Sequence, residues 1–151
     1  MRVIVDADAC PAISNIIKTA RACGAQVLLV GNETQNLRRF KGAKDVAIEV
    51  VPSDRDAADF AIMLGVNAGE VVVTNDIGLA AMVLGKGAQA ISPRGSFYNN
   101  ATIEQELFFR HVGQKVRRAG GRTKGPAPYV EDDRERLVQA LKKFLCEREG
   151  R

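Results

Sequence analysis

Short, wholly apolar runs alternate with longer stretches of helical period over the first ninety residues. Val3-Ile4-Val5 is β-branched and unbroken, the pattern of a strand buried on both faces. Pro11 then suits a first helical position, and Ile13, Ile16, Ile17 and Ala20 recur at helical spacing up to a stop at Gly24. Residues 26–30 form a second predicted strand and 34–41 a short basic helix. Residues 46–51 form a third strand, closed by Pro52. A helix over 54–64 stops at Gly65; a fourth strand covers 70–74. A helix over 77–86 ends at Gly87, and a fifth strand covers 88–91.

Strands alternating with helices predict an α/β fold, a parallel sheet covered on both faces. Right-handed crossovers then favour a three-layer arrangement with strand order 3-2-1-4-5. Ligands in such sheets bind beyond the strand C-termini, where the order reverses, here between strands 1 and 4. Ser92-Pro-Arg-Gly95 is a turn. Thr102 with Gln105 resembles a capping box opening a helix to about residue 116. Residues 117–128 are basic and rich in Gly and Pro, hence a loop. Asp132 with Glu135 resembles another helix start, and Leu137, Val138, Leu141, Phe144 and Leu145 give that last helix a docking face. One domain over 1–151 is expected, with a C-terminal helical extension from about 101.

The chemistry sits at the ends of the apolar runs. Asp6 and Asp8 end strand 1, and Asp76 follows strand 4 across the switch point. Asp56 and Asp59 are one helical turn apart at a helix start; one of the two should face the cluster, and spacing does not choose between them. Like charges held together raise each other's pKa, and the usual compensation is a hard divalent cation. Each Asp also has a bland reading. Asp76 between a strand and a helix is a good N-cap, and Asp54 favours a helix dipole. Cys10 near a helix N-terminus reads as structural, and His111 as a surface residue.

Charge sharpens the picture. Residues 1–100 hold ten basic and ten acidic side chains, and residues 101–151 hold twelve and eight, so the net +4 lies in the last third. Between Leu107 and Val130 stand Arg110, Lys115, Arg117, Arg118, Arg122 and Lys124 with no acid, a field suited to a polyanion. Arg94 either grips a phosphate or solvates its turn. With three widely spaced cysteines, no disulfide framework is expected, and the compartment reads as reducing and cytoplasmic. One Arg followed by a strand is not a signal peptide, and no apolar stretch approaches a spanning helix. No dinucleotide fingerprint, P-loop or nucleophile-elbow motif occurs.

The motifs V-D-A-D-A-C-P at 5–11, D-A-A-D at 56–59, V-V-T-N-D-I-G-L-A at 72–80, K-G-A at 86–88, P-R-G at 93–95, G-P at 125–126 and D-R at 133–134 resemble the YaiI/YqxD family of bacterial proteins. That family in turn resembles PIN and NYN nuclease domains. The resemblance implies a PIN-like sheet holding metal on Asp6, Asp59 and Asp76, which would be the catalytic positions, with Asp8 and Asp56 as neighbouring ligands. PIN enzymes usually add a Glu on an early helix. Residues 11–21 hold no acid, so Asp56 substitutes or the site holds one ion. The expectation is a Mg²⁺- or Mn²⁺-dependent nuclease acting on RNA, with Arg94, Arg117, Arg118, Arg122 and Lys124 neutralising the backbone and Phe97-Tyr98 the aromatic pair nearest the site. Two rivals stand beside it. One is a haloacid-dehalogenase-type phosphatase with Asp6 as nucleophile, Asp8 as acid/base and Lys86 as the required lysine. The other is a non-catalytic RNA-binding module.

Overall fold

Five parallel strands order as β3-β2-β1-β4-β5, the predicted topology. The computed structural model describes all residues except 9, 55, 122–126 and 149–151. The elements are β1 (Arg2–Asp6), α1 (Ile13–Ala22), β2 (Gln26–Gly31), two 3₁₀ turns (Glu33–Gln35, Leu37–Phe40), β3 (Val46–Val50), α2 (Ala57–Gly65), β4 (Val71–Val73), α3 (Ile77–Gly85), β5 (Gln89–Ile91), α4 (Asn100–Arg118) and α5 (Glu131–Arg148). The register is continuous across the centre: Val5 lies beside Leu29 on one side and Val73 on the other. The unbroken apolar runs of β1 and β4 are buried throughout their Val and Ile residues, because helices cover both faces.

Alternate side chains of the central strands feed two cores. Val3, Val5, Val71 and Val73 pack with α1 and with Leu137, Leu141 and Leu145 of α5. Ile4 and Val72 pack with Ile62 of α2, Leu79 and Val83 of α3 and Ile103 of α4. The period of two along each strand divides the cores. The docking face predicted for α5 is therefore real, and Phe144 stacks at a tilt on Phe97, centroids 5.7 Å apart. Gly95 makes the approach possible: it adopts φ +90°, and a Cβ there would meet the Arg136 carbonyl carbon at 2.6 Å.

Several boundaries differ from expectation. The basic segment after β2 is two 3₁₀ turns, because Asn36 adopts the left-handed conformation (φ 48°) and breaks the helix between them. α2 begins at Ala57, three residues late, which puts Asp56 outside the helix and Asp59 in its first turn. Asn99, not Thr102, caps α4, accepting from the Thr102 N–H at 2.8 Å. At α5 the carboxylate that closes the first turn is Asp133, which accepts from the Val130 N–H at 2.9 Å. The three cysteines are not all unpaired. Cys23 at the end of α1 and Cys146 in α5 form a disulfide with Cα atoms 5.4 Å apart, since α5 packs along α1; Cys10 is free. Among the described residues no helix is long and apolar enough to cross a membrane.

Candidate functional site

At the C-terminal edge of the sheet, beside the β1/β4 switch, lies a cleft of about 900 Å³. β1 delivers Asp6 to its floor. The Thr74 hydroxyl, just past β4, donates to Asp6 Oδ2 at 2.8 Å and accepts from the Asp76 N–H at 2.9 Å. The Tyr98 hydroxyl in turn donates to the Thr74 carbonyl at 3.0 Å. Burial, with the charges of Glu106 and Asp76 added, pushes Tyr98 up to about 12, so it stays a donor. Thr74 thus ties the two strand ends together and fixes one oxygen of Asp6. No local pattern in V-V-T-N-D marks Thr74 out for this role.

The carboxylates sort as follows. Asp6, Asp8, Asp59 and Asp76 all line the cleft. Asp76 is also the N-cap of α3, accepting from the Leu79 N–H at 3.2 Å, so the capping and site readings hold together. Between Asp56 and Asp59, it is Asp59 that turns inward; Asp56 is exposed, outside the helix, and absent from the cleft. It does not replace the missing helical Glu. Asp54, read only as a dipole partner, lines the wall with Val51, Pro52 and Ser53. Asn32 and Gln35 enter from the loop after β2, where each bonds the other's turn: the Asn32 N–H donates to Gln35 Oε1 at 2.5 Å. Gly31 leaves room for that turn, since a Cβ there would lie 2.6 Å from Gln35 Oε1.

Electrostatic strain concentrates on two of these groups. Burial raises the Asp6 carboxyl above its ordinary range; the hydrogen bonds from the Thr74 hydroxyl and the Asp8 N–H oppose the shift, and the charges of Asp8 and Asp76 add to it. Asp59 is pushed up to about 6, first by burial, then by the charges of Asp76 and Asp6, with Asp76 within hydrogen-bonding reach. A proton shared by carboxylates is the signature of negative charge without a counterion. Among the described residues no three Asp, Glu, His or Cys side chains stand close enough to enclose a metal ion by themselves. The donor set is all carboxylate oxygen, which fits a hard cation that keeps several waters and takes one or two carboxylates, the habit of Mg²⁺.

Cations sort differently from expectation. Arg94 is engaged elsewhere: it contacts Asp133 Oδ2 at 3.4 Å and the Ala127 carbonyl, and lies over the Tyr129 ring, so it braces the approach to α5 and is absent from the cleft lining. Arg117 and Arg118 sit exposed at the far end of α4, away from the cleft lining. Arg122 and Lys124 lie outside the described residues. Among the described residues the basic side chain that lines the cleft is Arg110, from the middle of α4, and no ion-pair partner among them holds it. Tyr98 is buried and Phe97 half-buried against Phe144, and neither lines the cleft. Lys86 donates to the Met63 carbonyl at the opposite end of α3, about 13 Å along the helix, so the phosphatase rival lacks its lysine.

Comparison with known proteins bears on the whole chain. A family model described as "Uncharacterized BCR, YaiI/YqxD family" matches residues 4–147. UPF0178 proteins are similar along nearly their full length. That of Halalkalibacterium halodurans is 39% identical over 148 residues, 98% of this chain and 92% of the relative. That of Clostridium tetani is 40% identical over 141 residues, 93% and 94%. That of Bacillus velezensis is 40% identical over 149 residues, 98% and 87%. Among solved structures, the crystal structure of a W164L mutant of Rae1 (YacP) from Bacillus subtilis matches with a TM-score of 0.42 and 17% identity, covering 96% of this chain and 98% of that one. A likeness so loose carries neither fold nor activity across.

Proposed function

The chain belongs to the YaiI/YqxD family, and we propose that its cleft makes it a divalent-metal-dependent hydrolase of RNA phosphodiesters. The observation that supports this most is the position of Asp6, Asp59 and Asp76. Three separate elements aim carboxylates into one cleft at the switch point, where Asp59 holds a proton up to about pH 6. A purely structural set of caps would not gather them. Two of Asp6, Asp59 and Asp76 would hold the cation, with water completing its shell and Asp8 at the rim. A bound Mg²⁺ or Mn²⁺ supplies positive charge against a phosphodiester oxygen and acidifies a water.

The rest of the work belongs to the chain. Thr74 fixes Asp6 Oδ2, so the other oxygen keeps a defined direction. The α3 cap holds Asp76 through Leu79. Arg110 neutralises a phosphate of the substrate as it enters the cleft. Hydrolysis adds water across one P–O bond, and the leaving oxygen takes up a proton from solvent. No aromatic side chain lines the cleft among the described residues, so little base stacking is available there, and weak sequence preference follows.

The test is cleavage of an end-labelled RNA in EDTA, Mg²⁺ and Mn²⁺ by wild type and Asp6→Asn, with a DNA strand of the same sequence alongside. Cleavage that needs the metal and is lost in Asp6→Asn supports the reading. RNA bound but left intact in Mn²⁺ refutes it. Cleavage of DNA alone refutes the choice of substrate.

A further inference from the structure

The C-terminal two-thirds of α4 presents apolar side chains to solvent. Phe108 is 62% exposed, Phe109 59%, Val112 40% and Val116 38%. They are not scattered. Gln105, Phe109, Val112 and Val116 follow the 4-3-4 spacing of a coiled-coil seam. At 100° per residue this seam lies on the far side of the helix from Ile103, which is buried in the body, and from Arg110, which reaches the cleft. α4 therefore uses one face for its own chain and leaves an orderly apolar face without a partner among the described residues.

We propose that this face pairs, antiparallel, with α4 of a second copy of the chain. The charge pattern selects that occupant. Glu104 and Glu106 stand in the N-terminal half of α4, and Arg110, Lys115, Arg117 and Arg118 in the C-terminal half. A two-fold axis near residues 110 and 111 sets Phe109 against Val112 of the other copy and Gln105 against Val116. It keeps each flank of the seam beside the same flank of its mate. Glu104 and Lys115 share one flank, so each copy's Glu104 meets the other's Lys115, twice by symmetry. On the other flank Glu106 meets the basic end. Parallel pairing would place like charges together. Neither glutamate nor Lys115 has an ion-pair partner among the described residues.

Area agrees with this choice. Phenylalanine side chains bury about 150–250 Å² each at contacts, and monomers rarely expose apolar patches beyond a few hundred Å². An anionic membrane is a poorer occupant, because the acidic pair borders the stripe. RNA is poorer still, since the stripe itself carries no charge. The pairing leaves Arg110 and the cleft free, so it stands or falls apart from the proposed activity.

Sedimentation of the full chain at tens of micromolar tests it, with circular dichroism confirming that each variant is folded. Wild type sediments as a dimer, Phe109→Glu as a monomer with unchanged helix content. Glu104→Lys weakens the dimer several-fold, and Glu104→Lys with Lys115→Glu restores it. A monomeric wild type overturns the proposal, as does a Phe109→Glu variant that remains dimeric. If Phe109→Glu unfolds, the charge-reversal series decides alone: failure of the double variant to recover excludes the antiparallel pairing.

Discussion

Replacing Asp59 with Asn removes one charge from the crowded cleft and nothing from the core, and its effect has a calculable sign. The folded protein holds the Asp59 proton to about pH 6, against an ordinary value of 3.8. Between those values the unfolded chain has released the proton and the folded chain has not. Stability therefore falls as pH rises through this window, and the whole cost is present above about pH 6. An unscreened group shifted so far would contribute about 3 kcal/mol. Asp59 is half-buried and open to solvent on one side, which reduces the expected cost to about 1 kcal/mol. For a chain of this length that is a melting shift of about 2–4 °C. Thermal unfolding in EDTA at pH 4.5 and pH 7.5 reads it. The unfolded carboxyl is already mostly ionised at pH 4.5, so about two-thirds of that amount should appear, in favour of the variant, between the lower pH and the higher. Since Asn keeps a donor toward Asp76, the hydrogen bond survives. A variant whose effect is the same at both pH values, or worse at pH 7.5, refutes the crowding argument.

Three further outcomes follow from the packing and the charge map. Leu141→Ala, in the fully buried stripe of α5, should cost about 2–5 kcal/mol by chemical denaturation, and a much smaller loss would mean that α5 is not docked. Gly95→Ala should cost more than about 2 kcal/mol, because φ +90° and the Arg136 backbone both oppose a Cβ, and a neutral result would contradict the close approach. Arg110→Ala should reduce the slope of log K against log salt for single-stranded RNA by about 0.7, the loss of one phosphate contact, whereas Arg94→Ala should leave that slope unchanged while lowering stability.

What the sequence made legible is what short-range pattern can specify. The runs at Val3–Val5 and 70–74 need no tertiary information to read as buried parallel strands, and crossover handedness then leaves few orders beside 3-2-1-4-5. Asp6 and Asp76 were visible for the same reason, since a strand end is a place in the sheet. Spacing did not separate Asp59 from Asp56, and only the family resemblance favoured Asp59, because the two share a helix face and the late start of α2 is what puts Asp56 outside the helix. Arg110 and Arg94 exchanged roles because each depends on how a long element lies on the body, α4 in one case and α5 in the other. The Cys23–Cys146 pair, 123 residues apart, likewise follows from α5 lying along α1, which no local pattern encodes. Thr74 was hidden by its ordinariness: a threonine after a valine run signals nothing until a carboxylate is found 2.8 Å from its hydroxyl.

The central claim is that the carboxylate cleft receives a divalent cation, and anomalous diffraction from crystals grown in Mn²⁺ tests it most directly. The account predicts a manganese peak at the C-terminal edge of the sheet, within about 2.0–2.6 Å of oxygens from at least two of Asp6, Asp59 and Asp76 and otherwise bounded by water. In the same crystals Asp6→Asn should lose most of that peak. A cleft without manganese at saturating millimolar metal, or a peak held only by residues outside it, would contradict the account.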